Sequence, residues 1–259
     1  MISDEQICAE MVRKQDPERF LSAMTAPPEK RGELMVIYAF NLELARIPWV
    51  SKEPMIAEMR LQWWRDILEE IFAGKVEETH EVAKPLGRII NLHNLPREVF
   101  ERMIDARVWD IYTEPHKDIT AFERYIRDTA GGVMLLTAMV LATDVPQEDI
   151  LELGHAHGTS LLLRAVPALD QLGRRPLVDR DAVEIGNLAE KSLHTYEQAR
   201  KRLRRVDKQI LPALRSGWLA RGVLRKASSN PNNVLHGGLE PSQAGMRFSL
   251  MVKTALGSF

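Results

Sequence analysis

The chain has 259 residues, 45% apolar and 27% charged, a balance that suits a soluble globular protein with a sizeable core. Lys plus Arg (35) nearly equal Asp plus Glu (36), so no global field recruits nucleic acid. One cysteine, Cys8, excludes an internal disulfide and a cysteine-rich zinc site, and fits a reducing, cytoplasmic setting.

Helical signals follow one another along the chain. The start, MISDEQICAEMVRK, carries acids early and holds no apolar stretch of signal-peptide length. Pro27 and Pro28 precede EKRGELMVIYAFNLELAR, and proline suits a first helical turn, where its missing N–H costs nothing. Pro48 is expected to break that helix. Pro54 opens the next, with Ile56, Met59, Trp63, Ile67 and Ile71 recurring at threes and fours as its inner stripe and Gly74 as a C-cap. Pro96 opens a helix carrying Val99, Met103 and Ala106 on successive turns. Asp118 to Thr143 reads as periodic at first and then apolar all round, as in a helix through the middle of a domain. Its apolar run, Val133 to Ala142, is about half a membrane span, so a buried core helix is the better reading. Gln147 to Leu172 repeats the pattern, and Asp181 to about Arg215 gives one or two more helices. Lys226 to Gly245, rich in Ser, Asn, Gly and Pro, reads as a surface loop before a last short helix, MRFSLMVKTAL. Strand alternation, linkers and internal repeats do not stand out. The expectation is one all-α domain over residues 1–259, with a loop-rich segment 226–259.

Few residues announce chemistry. His155 and His157 are two apart, so on a helix they point to different faces, and solvent exposure or local bonding is their ordinary fate. Carboxylates four apart, Glu101/Asp105, Asp66/Glu70 and Glu148/Glu152, could clasp magnesium across a cleft, but they lie on strongly charged stretches typical of a solvated face. RKRLRRVDK, Arg200 to Lys208, suits anionic lipid, a diphosphate or an acidic partner, or simply water. A Gly-rich phosphate loop, a nucleophile elbow and a Cys/His constellation are all missing. Composition and spacing give an all-α protein and no reaction.

The order of segments resembles the squalene/phytoene synthase family from about Asp16 to Leu224. The matching stretches are DPERFLSAM, PPEKRGELMVIYAFNLELA, EMRLQWWRDILEEIFAGK, FERYIRDTAGGVMLL, GHAHGTSLLLRAV and QLGRRPLV. Ala130–Val133 is similar to that family's small-residue helix contact. The resemblance implies a class I isoprenoid-synthase bundle of helices around a central cavity. Active members join two prenyl diphosphates after magnesium ions, held by two facing acidic motifs, neutralise the leaving group.

Carried over position by position, those acids are gone. Ala45, Arg46 and Trp49 stand at the first motif, and Leu42 replaces the arginine expected after Tyr38. Leu161, Leu163, Arg164, Ala165 and Leu169 stand at the second, where only Arg164 is kept. Pro17, Glu18 and Arg19 replace the small hydroxyl residues expected before Phe20. Asp170 is one position off its expected place, about 100° round a helix. YAFNLELAR, WWRD and HxxGxxxLLRA are closer to a divergent branch of the family, which includes an assembly factor of mitochondrial respiratory complex I.

That branch implies a non-enzymatic assembly or scaffold factor with a protein partner, no cofactor, and peripheral contact with the inner membrane. Two alternatives stay open: a prenyl transferase with a metal-poor site, clamping diphosphate by Arg46, Arg65 or Arg164, and an isoprenoid- or lipid-binding module. In the last, the basic run and final helix would face a membrane. Tyr38, Asn41, Arg46, Trp64, Arg65, Tyr125 and Arg164 are the candidate cavity residues. Tyr38, Phe40, Trp63, Trp64 and Trp109 read more readily as core packing than as ligand contacts. Arg164, on an apolar helix, needs either an anionic ligand or an internal carboxylate. Carboxylates converging from two helices on the cavity mouth would contradict the loss of the metal site.

Overall fold

The computed structural model describes residues 3–51, 53–75, 80–112 and 114–259. Among them there is no strand, and the helical expectation holds throughout. Fifteen helices follow in order: α1 (Asp4–Gln15), α2 (Pro17–Ala23), α3 (Pro28–Val50), α4 (Pro54–Phe72), α5 (Ala83–His93), α6 (Arg97–Ala106), α7 (Val108–Ile111) and α8 (Ile119–Ile126). A π-helical turn (Arg127–Gly131) joins α8 to α9 (Gly132–Leu141). Then come α10 (Gln147–Gln171), α11 (Ala182–Arg202), α12 (Leu211–Leu214), α13 (Ala220–Ser229), α14 (Asn232–His236) and α15 (Gln243–Ala255).

One apolar cluster runs from Cys8 and Val12 through α3, α6, α9 and α10 to Val234 and Phe259. α9 lies at its centre, with Val133 to Leu136 and Ala138 all buried, as an all-round apolar helix must be. Phe40 is fully buried and meets Trp64 edge-on at 5.1 Å and Phe100 at 5.5 Å. Burial of three rings in preferred geometry fixes α3 against α4 and α6.

Several local expectations need correction. Pro48 does not stop α3, which runs two residues further to Val50. A proline so near a helix end forfeits a single backbone bond, and the apolar neighbours Leu44 and Ile47 hold the turn in the core. On α4 the inner face is Ala57, Leu61, Trp64, Ile67, Leu68 and Ile71, while Met59 (66%) and Trp63 (37%) are exposed. Apolar residues occupy both faces here: Ile67 and Ile71 of the expected stripe are buried, whereas Met59 and Trp63 are not. The segment 226–259, expected to be loop-rich, is mostly helical: α13 extends to Ser229, α14 follows, and α15 starts at Gln243 under a Ser242 cap. Gly74 does end α4, with φ +74°.

The small-residue contact is real and tight. A Cβ on Gly154 would lie 2.6 Å from Gly131 Cα, and one on Gly158 would lie 2.5 Å from Ala130 Cβ. α10 therefore touches the π-turn backbone directly. Gly154→Ala should cost about 2 kcal/mol, as overpacking does, lowering the melting temperature by roughly 4–8 °C. Gly222→Ala on α13, where nothing lies within 4 Å, should instead add up to about 1 kcal/mol through helix propensity. Differential scanning calorimetry on the two variants checks both signs.

Candidate functional site

The cavity that Arg164 and Ala165 line has a volume of about 810 Å³ and is walled by α2, α10 and the start of α15. Asp16, Glu18, Phe20, Leu161, Arg164, Ala165 and Glu240 are among its lining. α2 begins on an Asp16 cap whose carboxylate accepts from the Arg19 backbone N–H and, at 2.8 Å, from the Arg19 guanidinium. That capped turn sets Glu18 facing α10. Arg164 donates to both Glu18 oxygens, at 3.0 and 2.8 Å, and to both Glu240 oxygens, at 3.2 and 2.9 Å. Burial disfavours the charge on Arg164, and the bonds to Glu18 and Glu240 more than offset this, so its pKa is raised. The guanidinium fork that would grip an anion is thus filled by two carboxylates of its own chain.

Three carboxylates do line this cavity, but Asp16 is taken by Arg19 and the other two by Arg164. Among the described residues no group of three His, Cys, Asp or Glu side chains could hold a metal ion. Positions 45, 46, 49, 165 and 169, where the family resemblance implies the acidic motifs, offer no carboxylate. Ala45 is half-buried, and Arg46 bonds Glu43 at 2.9 Å. Trp49 lies under the Arg174 guanidinium at 5.0 Å. Ala165 and Leu169 are aliphatic, and Asp170 is gripped by Arg180 at 2.6 and 2.7 Å. A magnesium ion wants hard anionic oxygens, and here it would meet arginines. The residues do not fit that group.

The remaining candidates are scattered. Arg164 and Ala165 line the cavity, whereas Tyr38, Asn41, Arg46, Trp64, Arg65, Tyr125, Ala45, Trp49 and Leu169 do not. Tyr38 and Trp64 are core side chains, and burial pushes the Tyr38 hydroxyl up to about 12. Arg65 bonds Asp105 at 2.8 Å on an exposed face. The i,i+4 carboxylates are used in the same way: Arg97 holds Glu101, Arg127 holds Glu148 and Arg202 holds Glu152.

Asn41 and Tyr125 do meet, through a residue the sequence did not single out. Arg107 donates to Asp110 at 2.8 Å, to the Tyr125 hydroxyl at 3.0 Å and to Asn41 at 3.2 Å, and Tyr125 donates to Asp110 at 2.8 Å. Trp109 of the same short turn stacks on His116 at 3.8 Å. This network ties α3, α7 and α8 together. Arg107 and Asn41 are 66 residues apart, so no local pattern could have paired them. The histidines also differ from expectation. His157 is buried with neither ring nitrogen bonded, and His155 is mostly buried with its Nε2 unbonded. Desolvation holds them neutral, pushing His157 down to about 3 and His155 to about 4.

The sequence model described as squalene/phytoene synthase matches residues 12–181. The chain belongs to the squalene/phytoene synthase family. Within it, the chain is 28% identical over 165 residues to the NADH dehydrogenase (ubiquinone) complex I assembly factor 6 of Homo sapiens, covering 63% of this chain and 49% of that protein. It is 23% identical over 269 residues to a 15-cis-phytoene synthase of Synechocystis, covering 89% of this chain and 78% of the synthase. A dehydrosqualene synthase crystal structure superposes with a TM-score of 0.81 at 19% identity, over 99% of this chain and 97% of that one, which establishes the isoprenoid-synthase fold. The chain spans about half the length of the assembly-factor relatives it matches.

Proposed function

We propose that this squalene/phytoene synthase family member is catalytically silent and serves as an assembly or scaffold factor for a respiratory membrane complex, with a protein partner and no resident metal. The observation that carries the reading is the occupied clamp: Arg164 is neutralised by Glu18 and Glu240 where a diphosphate would need it free. Ionising an allylic diphosphate requires electrostatic neutralisation of the leaving group, and stabilisation of that kind usually contributes most to the rate. Here the positions of the metal-binding acids hold other residues, and the Arg164 fork is spent within the chain. The likeness to complex I assembly factor 6 supports a complex I component as the partner. No described helix is long and apolar enough to cross a membrane.

Isothermal titration with magnesium and farnesyl or geranylgeranyl diphosphate tests the silence. The expected trace is flat, both with metal and without. Tight, metal-dependent binding, or product formation from a panel of prenyl diphosphates, would overturn it in favour of a transferase.

A further inference from the structure

α15 carries apolar residues on two opposite faces. Met246 and Leu250 pack inward on Trp218. Phe248, Met251, Val252 and Leu256 face outward, 64, 60, 37 and 74% exposed. Their spacing puts them on one side of the helix, as a ridge pointing at solvent. From Pro241 onward the chain contains no acidic residue, while Arg247 and Lys253 lie within the helix.

The C-terminal end of this ridge opens onto a cavity of about 960 Å³. Its walls carry Arg200, Lys201, Arg204, Arg205 and Lys208, and Leu256 forms part of its rim. Glu197, its acidic lining residue, is held by Arg221. Arg200 donates to the Phe259 main-chain oxygen at 3.4 Å, while among the described residues Lys201, Arg204, Arg205 and Lys208 have no Asp or Glu partner, in contrast to Arg202, which binds Asp149 and Glu152. Arg215, beneath the same C-terminal turn, is 4% exposed and bonds the Ser258 carbonyl and the Thr25 hydroxyl rather than an acid. Burial, then the fields of Arg200, Arg221 and Arg215, hold Lys253 below the ordinary lysine value. A cationic hollow beside an outward apolar ridge is complementary to one kind of surface, phosphate headgroups over acyl chains. A nucleic acid would use the charge and leave the ridge unaccounted for.

We propose that α15 and the Arg200–Lys208 hollow form a docking surface for an anionic phospholipid bilayer, with lipid phosphates in the hollow and the Phe248–Leu256 ridge in the interface. The inference deepens the assembly-factor reading by naming the surface, and its test is separate, because docking needs neither the Arg164 cavity nor any prenyl diphosphate.

Flotation of the full chain with phosphatidylcholine vesicles, with and without phosphatidylglycerol, is the measurement. Binding is expected with the anionic lipid, to weaken as salt rises, and to be lost on pure phosphatidylcholine. Arg204→Gln with Arg205→Gln should weaken it about 30-fold, two charges near the surface being removed. Phe248→Ser with Met251→Ser should weaken it on the order of 100-fold through lost apolar burial. All four side chains are exposed, so unchanged thermal melting is the control for folding. No flotation with anionic vesicles, equal flotation on both, or unchanged affinity in either double variant overturns the proposal. So does a lipid-free dimer in sedimentation that Phe248→Ser with Met251→Ser dissolves, since a second copy would then be the occupant.

Discussion

Moving the protein from about pH 7 to about pH 4.5 should remove several kcal/mol of stability, and His157 should carry the largest single share. Its ordinary value of 6.5 applies in the unfolded chain, while burial holds the folded value at about 3. Below pH 6.5 the unfolded state therefore binds a proton that the folded state refuses. Stability falls as pH drops through that window, by about 1.4 kcal/mol per pH unit for each such group. Two units of acidification give about 3 kcal/mol for His157. His155 and His116, both pushed down by desolvation to about 4, add only slightly smaller shares in the same direction, since pH 4.5 still lies above their folded values. The sum is a large part of an ordinary domain's stability. Both His157 ring nitrogens are unbonded, so His157→Leu sacrifices no hydrogen bond. Guanidinium unfolding at the two pH values should show that variant at least as stable near neutrality and with a shallower acid slope. An identical slope in wild type and variant would remove His157 from the account.

The second large effect is expected at the clamp. Glu18→Ser combined with Glu240→Gln removes both carboxylates and leaves Arg164, whose side chain is 13% exposed, without a counter-ion. A nearly buried unpaired charge is costly, so the variant should melt below the wild type. Inorganic pyrophosphate should then fill the vacated fork. Charged hydrogen bonds contribute about 1.5–3 kcal/mol, so its affinity should rise on the order of 100-fold over wild type. By linkage, pyrophosphate at 100 times its dissociation constant returns about 2.7 kcal/mol of stability. Thermal melts across a pyrophosphate series read this directly: a rising midpoint in the variant and a flat one in wild type. An equal rise in wild type would mean that the native clamp is open and that Glu18 and Glu240 do not block it.

Much of the helix order was legible because prolines and glycines punctuate it. Pro28, Pro54 and Gly74 mark true ends, whereas Pro48 does not, since a proline in a last turn breaks so little that surrounding packing overrides it. On α4 the periodicity is right at Ile67 and Ile71 and wrong at Met59 and Trp63, which are as apolar as Leu61 and Trp64. Only neighbours in space decide which of two apolar faces is covered. His155 and His157 were misplaced for a related reason: two residues apart they do occupy different faces, but α10 is surrounded on most sides.

Residue identity alone determined that acids are absent at 45, 49, 165 and 169, and that Arg164 stands on an apolar helix and needs an anion or an acid of its own. Chemistry at a position depends on the functional group there, and no fold supplies a missing carboxylate. Only the tertiary structure decided which partner Arg164 has, because Glu18 is 146 residues away and Glu240 is 76. The same holds for Arg107, which joins Asn41 to Tyr125 across three helices. Contacts between segments so far apart leave no periodic trace in the chain, since they arise from how the helices pack.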